Sequence, residues 1–172
     1  MKTLFKAALA ATVATGLFAS PALAANSASA PFKAKAKIVK PLTLTKATDL
    51  DFGTITMGAA LTSSNVVVGR TGGAAATSCG ANLTCTAPVA ASFNVTGVAL
   101  QQLSVTLSNV PATLVHTIDN TKNVSFSVDP DTSLTLNGSG LGSFDIGGSI
   151  TVLAATADGD YDGNIDVTVS YQ

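Results

Sequence analysis

The chain has 172 residues, of which 47% are hydrophobic and 11% are charged, and its formal net charge at pH 7 is −1. All ten acidic residues are Asp, and Lys and Arg are not in excess, which argues against the basic surface that nucleic-acid-binding proteins carry. A single His and the absence of Glu leave few groups for acid–base catalysis. We therefore expect a protein that is not an enzyme and does not bind nucleic acid.

The first 24 residues have the pattern of a secretory signal peptide. Lys2 and Lys6 precede an apolar run over residues 7–18, and a small-x-small site follows at residues 22–24. The apolar run is shorter than the ~20 residues of a membrane-spanning helix. We expect residues 1–24 to be removed on export through the inner membrane. The mature chain would then reach the periplasm and the cell surface, a fimbria or the extracellular medium, without a membrane span of its own.

Residues 25–39 form an N-terminal extension in which side-chain character alternates with a period of two. One face would carry Phe32, Ala34, Ala36 and Ile38. The opposite face would carry Lys33, Lys35 and Lys37. This pattern fits a solvated edge strand, in which lysines prevent unwanted pairing. It also fits a donor strand that adds to the sheet of a neighbouring subunit.

From residue 40 onwards, short apolar alternations are separated by turn sequences, and no segment has convincing helical periodicity. In chain order the apolar segments lie at Leu42 and Leu44; Leu50, Phe52 and Ile55; residues 66–68; Phe93 and Val95; residues 103–107; residues 113–117; residues 124–128; Leu134 and Leu136; Ile150 and Val152; and residues 165–171. The intervening turn signals include Asn137-Gly138, Gly147-Gly148, Asp158-Gly159 and Asp162-Gly163. Strands of this length and spacing predict an all-β fold, with one β-sandwich domain over residues 40–172.

Cys79 and Cys85 lie within the small, polar and glycine-rich stretch of residues 70–91. We predict that this stretch is a long loop and that the two cysteines form a disulfide, as close pairing in an exported chain suggests. Closing so small a ring stabilises the folded state by about 2 kcal/mol, so the bond would hold one loop rather than the whole fold. A redox or metal-binding role is the alternative, although the spacing is not CxxC.

An Asp-rich sequence precedes the last alternating segment. It matches the first half of the calcium loop D-x-[DN]-x-[DN]-G, with Gly163 as the glycine. The candidate calcium ligands are Asp158, Asp160, Asp162, Asn164 and Asp166. Val169 occupies the position of the usual bidentate Glu. Because Asp and Gly also form ordinary turns, two interpretations stay open: a calcium site, and a turn that leads into the last strand.

The end of the sequence resembles that of pilins assembled by the bacterial chaperone–usher route. Gly159 is fourteenth from the last residue and Tyr171 is penultimate, with Ile165, Val167 and Val169 alternating between them. The ending GDYDGNIDVTVSYQ also resembles spore-coat-U-like secreted proteins. More closely, the chain resembles the DUF4402 family of small exported bacterial proteins through KPLTLTKATDLDFGTI, ASFNVTG, GSITV and the same ending.

This resemblance implies an incomplete, immunoglobulin-like antiparallel sandwich whose missing strand leaves a hydrophobic groove. A periplasmic chaperone and an outer-membrane usher would be its partners, and the extension of the next subunit would fill the groove. The implied groove wall and C-terminal motif comprise Gly159, Ile165, Val167, Val169 and Tyr171. The implied donor face comprises Phe32, Ala34, Ala36 and Ile38.

We therefore expect a structural subunit of a pilus, fimbria or surface coat, assembled by donor-strand pairing and acting in adhesion. The alternative is a monomeric exported binding module whose C-terminal turn is stabilised by calcium. A hydrolase is a third hypothesis, which no nucleophile motif or acid–base pair supports. Calcium at the C-terminal turn is the only cofactor that the sequence suggests.

Overall fold

The computed structural model describes residues 27–73 and 75–172, and the predicted signal peptide, residues 1–24, lies outside the described residues. The chain divides into two compact units, Met1–Lys37 and Ile38–Gln172. Over residues 27–37, the described part of the first unit, no strand or helix is found. No helix in the described part of the chain is long and apolar enough to cross a membrane.

The second unit consists of strands joined by turns, and its described residues contain no helix. In chain order the strands are Thr43–Thr48 (β1), Thr54–Met57 (β2), Ser63–Val68 (β3), Ser78–Cys79 (β4), Leu83–Thr86 (β5), Ala91–Thr96 (β6), Gln102–Ser108 (β7), Thr113–His116 (β8), Asn123–Pro130 (β9), Ser133–Thr135 (β10), Leu141–Leu153 (β11), Tyr161–Asp162 (β12) and Asp166–Tyr171 (β13). All pairings between them are antiparallel. The predicted all-β class is confirmed.

The larger sheet is built around β11, which has 13 residues. One edge of β11 pairs first with β6, through residues 141–146, and then with β3, through residues 148–153. The other edge pairs with β9 through residues 146–151. The strand order is β1-β6-β11-β9-β8-β12, with β4 on the outside of β3. A single long strand therefore connects the two halves of this layer.

The second layer consists of two separate pieces. One is a three-stranded sheet in the order β10-β7-β13, and the other is the two-stranded sheet β2-β5. β13 pairs with β7 along its whole length, from Asp166 opposite Ser108 to Tyr171 opposite Leu103. The arrangement is an antiparallel β-sandwich, as predicted, in which one layer is continuous and the other is interrupted.

Two hydrophobic clusters lie in the sandwich. The cluster beside β2-β5 consists of Phe52, Leu61, Val66, Val68, Val124, Phe126, Ile150 and Val152. The cluster beside β10-β7-β13 consists of Ala91, Phe93, Val95, Leu103, Val105, Leu136, Phe144 and Ile146. Leu50 and Val128 pack against both clusters. Because burying each of the larger side chains stabilises by about 1.5–3 kcal/mol, these clusters account for the pattern of apolar residues in the sequence.

Most of the predicted strands are present, and two expectations were wrong. The predicted loop at residues 70–91 contains β4 and β5, and β5 is the partner of β2 in the second layer. The predicted turn at Gly147-Gly148 lies inside β11. A side chain at Gly147 would overlap the carbonyl of Val68 on β3, and one at Gly148 would overlap the carbonyl of Ser127 on β9. These glycines therefore permit the close approach of the two neighbouring strands rather than a reversal of the chain.

The predicted disulfide between Cys79 and Cys85 is confirmed, with the two Cα atoms 5.8 Å apart. Its position differs from the expectation that it would hold a loop alone. Cys79 lies on β4, which pairs with β3 of the larger sheet, whereas Cys85 lies on β5 of the second layer. The disulfide therefore joins the two layers of the sandwich covalently.

Arg70 is the single arginine of the chain, and its side chain is only 16% exposed. Its Nη1 donates a hydrogen bond to the carboxylate of Asp131, and its Nε lies 3.2 Å from Oδ2 of Asp129. Nε makes no hydrogen bond with correct geometry among the described residues, so the Asp131 contact is the stronger one. Together the two contacts join the segment after β3 to the end of β9, at Asp129, and to the turn that follows it, at Asp131.

We expect Arg70→Ala to lower the free energy of unfolding by about 1–3 kcal/mol, because two partly buried carboxylates lose their cation. Lys46→Ala is the matched control, since the Lys46–Asp49 pair is exposed and such pairs contribute about 0–1 kcal/mol. Urea unfolding followed by circular dichroism measures both effects. Equal losses in the two variants would contradict a structural role for Arg70.

Candidate functional site

A groove of about 1030 Å³ separates the two pieces of the second layer. Its lining includes residues at the start of β13 and residues of β1, of the turn after it and of β2. The Asp-rich segment of residues 156–164 also contributes to the lining. The apolar floor includes Phe93, Phe126, Ile146 and Ile150, none of which is more than 8% exposed. The groove is therefore a narrow opening above a packed core.

The strands beside the groove each have one edge without a partner strand in the described chain. β13 pairs only with β7, and β2 pairs only with β5. β1, at the edge of the larger sheet, pairs only with β6. The backbone N–H and C=O groups of such an edge can form a ladder with an added strand. The groove thus combines an apolar floor with backbone hydrogen-bonding groups along its sides.

The side chains of β13 alternate between solvent and the core, as the sequence predicts. Ile165 packs against the cluster beside β2-β5. Val167, Val169 and Tyr171 pack against the cluster beside β10-β7-β13. Of these four residues, only Ile165 and Val167 line the groove. The side chains of Val169 and Tyr171 therefore hold β13 in place instead of facing the opening.

Tyr171 has a hydrogen-bonding role that the alternation did not reveal. Its hydroxyl donates to the carbonyl of Lys40 and accepts from the backbone N–H of Val98, each at 2.9 Å. A Cβ at Gly97 would lie 2.6 Å from this hydroxyl oxygen, so glycine there makes room for it. Tyr171 therefore joins the end of β13 to the chain before β1 and to the turn after β6.

Gly159, which the resemblance places in the C-terminal motif, has a local physical role beside His116. Its φ of +131° favours glycine, and a Cβ there would overlap the imidazole of His116. Nε2 of His116 lies 3.0 Å from the carbonyl of Asp158, and Nδ1 accepts from the N–H groups of Ile118 and Asp119. Since Nδ1 is an acceptor, the proton is on Nε2 and is donated to Asp158. His116 thus fastens the Asp-rich segment to β8.

Two further contacts hold the Asp-rich segment beside His116. The N–H of Thr117 donates to the carbonyl of Asp160 at 2.9 Å, and the ring of Tyr161 packs edge-on against the imidazole of His116 with centroids 5.2 Å apart.

Hydrogen bonds from the hydroxyl and the N–H of Thr121 hold the pKa of the Asp119 carboxyl below its usual value. A lowered carboxyl pKa stabilises the fold at neutral pH, and this contribution is lost as the pH falls through the folded-state pKa.

The predicted calcium ligands all line the groove, namely Asp158, Asp160, Asp162, Asn164 and Asp166. Within the described residues, no group of three or more His, Cys, Asp or Glu side chains is placed to hold a metal ion. The carbonyls of Asp158 and Asp160 are used in the contacts with β8, and the carboxylate of Asp166 accepts from the amide of Asn109. Calcium binding at this turn stays a prediction.

The predicted donor face, Phe32, Ala34, Ala36 and Ile38, lies in a segment without secondary structure. Its two larger side chains are strongly exposed, Phe32 by 89% and Ile38 by 95%. Residues 27–42 form no strand, so this backbone has no sheet partner in the described chain. The role of this face as a donor stays a prediction.

Gly159→Ala should lower the free energy of unfolding by about 1–3 kcal/mol, because the new methyl group meets the His116 ring and the backbone φ disfavours it. Gly138→Ala is the matched control, since a Cβ there meets nothing within 4 Å. Thermal and urea unfolding measure both. In a double-mutant cycle, His116→Ala should remove part of the loss caused by Gly159→Ala. Strict additivity of the two substitutions would contradict direct contact between these residues.

Comparison with family models gives a match to a domain of unknown function, DUF4402, over residues 42–171. This range contains every strand from β1 to β13. A search of curated proteins found no match. The likeness to pilins and spore-coat-U-like proteins stays a prediction. The matched range covers the whole sandwich, and the protein therefore belongs to the DUF4402 family.

Proposed function

We propose that this protein is a non-enzymatic, exported structural subunit that assembles with copies of itself by donor-strand pairing. The product of assembly would be a pilus, a fimbria or a surface coat with a role in adhesion. The groove beside β13 is the acceptor, and the N-terminal extension of another copy is the donor. The observation that carries the proposal is the free edge of β13 beside an apolar groove.

An added strand would continue the interrupted second layer. Placed beside β13, it would gain backbone hydrogen bonds that each stabilise by about 0.5–1.5 kcal/mol. Its inward side chains would cover the apolar floor. Because the floor residues are already almost buried, covering them adds little hydrophobic stabilisation, and the backbone hydrogen bonds would supply most of the gain.

The N-terminal extension has the alternating pattern of a strand with one apolar face. Ala34 and Ala36 are small, and Phe32 and Ile38 flank them with larger apolar side chains. The segment forms no strand with the described part of its own chain. A sheet edge and an unpaired alternating segment are the two components of β-augmentation.

Export and further partners belong to the same proposal. The predicted signal peptide would deliver the chain to the periplasm, where a chaperone would cover the open groove. An outer-membrane usher would then conduct assembly at the cell surface. The resemblance to pilins is the support for these two partners and for this localisation.

Deleting residues 25–38 should leave the sandwich folded, because every described strand lies after residue 42. The deletion should abolish assembly, because it removes the proposed donor strand. Unboiled samples on a denaturing gel should give a ladder for the mature chain and a single band for the deleted one. Circular dichroism and thermal melting establish that the deleted protein is folded. A normal ladder from the deleted protein would show that the extension is not the donor.

A full-length variant provides a second test of the same role. Phe32→Asp with Ile38→Asp places carboxylates on the face that pairing would bury, and burial of unpaired charges is strongly unfavourable. We expect the ladder to disappear. Ser29→Asp is the matched control, because it adds a carboxylate outside the predicted donor face, and its ladder should be normal.

A monomeric exported binding module is the second candidate function. The favouring observation is that all five predicted calcium ligands line the groove. On this hypothesis, millimolar calcium raises the Tm of the mature chain, because a ligand that binds only the folded state stabilises it. Asp160→Asn with Asp162→Asn should abolish the shift, and magnesium should not reproduce it. An unchanged Tm in calcium would remove the metal site.

A further inference from the structure

The lining of the groove carries mainly negative charge. Its aspartates are Asp49, Asp51, Asp158, Asp160, Asp162 and Asp166, which we call the acidic wall. All six are exposed, so they surround the opening above the apolar floor. Lys46 is the only cation among the lining residues. Six carboxylates and one ammonium give the lining a formal charge of −5.

Two of these carboxylates accept hydrogen bonds within the fold, Asp51 from the N–H of Gly53 and Asp166 from the side-chain amide of Asn109. Among the described residues, only Asp49 forms an ion pair, with Lys46 at 2.6 Å. Asp158 and Asp160 contact β8 through their backbone carbonyls and not through their carboxylates. Clustered like charges repel one another and destabilise a compact state. A ligand of opposite charge would relieve that repulsion.

The positive charges of the chain are concentrated elsewhere. No acidic residue precedes Asp49 in the sequence. Lys33, Lys35 and Lys37 would lie on one face of the extension if it formed a strand. Arg70, by contrast, is already paired with two aspartates. The extension is therefore the segment of this chain whose charge complements the acidic wall.

We propose that the acidic wall selects a basic strand, and that the strand is the segment of residues 32–38 of a second copy of this chain. The inference rests on the proposed function, since it assigns the residues that recognise the donor. A strand beside β13 points alternate side chains inward and outward. With its apolar face over the floor, its three lysines point outward, as the exposed side chain of Asp166 does on β13.

The same arrangement sets the register of the donor. A slip by one residue would move the lysines over the apolar floor and the apolar face into solvent. Opposite charges on neighbouring strands stabilise their pairing, whereas like charges facing each other destabilise it. The acidic wall therefore favours one face of the donor and disfavours a donor that carries Asp at the outward positions.

Attraction between exposed charges also accelerates association, and salt screens it. The Debye length is about 30 Å at 0.01 M salt and about 3 Å at 1 M. Electrostatic steering raises association rates by about tenfold or more. We expect the rate of assembly of the mature chain to fall at least about tenfold across this range of salt, and to depend on protein concentration, because the donor comes from a second copy.

The test follows ladder formation by the full mature chain and three variants over this range of salt. The neutral donor carries K33Q, K35Q and K37Q. The neutral wall carries D158N, D160N and D162N, which keep the backbone carbonyls that contact β8. The control carries K122Q and D145N, which remove charges that do not line the groove. Circular dichroism and Tm establish that each variant is folded.

A charge-swapped chain completes the design. It carries K33D, K35D and K37D together with D158K, D160K and D162K, so that the two signs are exchanged. Each half of the swap alone should assemble at least about tenfold more slowly than the mature chain, and the combined chain should recover. If the substitutions slowed assembly only by disturbing the structure, the combined chain would assemble no faster than either half of the swap alone.

The outcomes separate this inference from the proposed function. If the neutral donor and neutral wall assemble at the rate of the control, with the same salt dependence, the acidic wall does not select the donor, although donor-strand assembly stands. If the mature chain forms no ladder at any salt concentration, the proposed function and this inference both fail.

Discussion

Backbone hydrogen bonding along both edges of β11 is the constraint on which the rest of the structure depends. This strand of 13 residues pairs with β6 and β3 on one edge and with β9 on the other. Phe144 and Ile146 belong to one hydrophobic cluster, and Ile150 and Val152 to the other. Since no strand of the second layer has comparable length, that layer consists of two pieces. The groove is the space between them.

The sequence predicted those features that depend on local alternation. The inward and outward faces of β6, β7, β9 and β13 follow from a period of two, because one face of each strand meets the core. The same rule missed β4 and β5, which have two and four residues and mainly small or polar side chains. The sequence pattern predicted a turn at Gly147-Gly148 because a Gly-Gly pair is common in turns. The sequence alone does not distinguish such a pair from glycines that permit the close approach of a neighbouring strand.

The groove itself could not be read from local patterns. Its lining combines the turn after β1 with the segment before β13, which lie far apart in the sequence. In isolation, the second of these segments was open to interpretation as a metal loop or a turn. The contact of His116 with Gly159 was equally invisible, since Asp158 lies 42 residues from His116. Only the antiparallel pairing of β8 with β12 brings these segments together.

The hydrogen bond from Tyr171 to the carbonyl of Lys40 has a mechanical consequence. Tension on the chain before residue 40 passes both to β1, which pairs with β6, and through Tyr171 to β13, which pairs with β7. These two ladders lie in different layers, and both resist the same pull. While this hydrogen bond holds, the two ladders share the load, whereas a strand pulled alone from one end would separate one hydrogen bond at a time. In a fibre of such subunits, each sandwich would share the force between its layers.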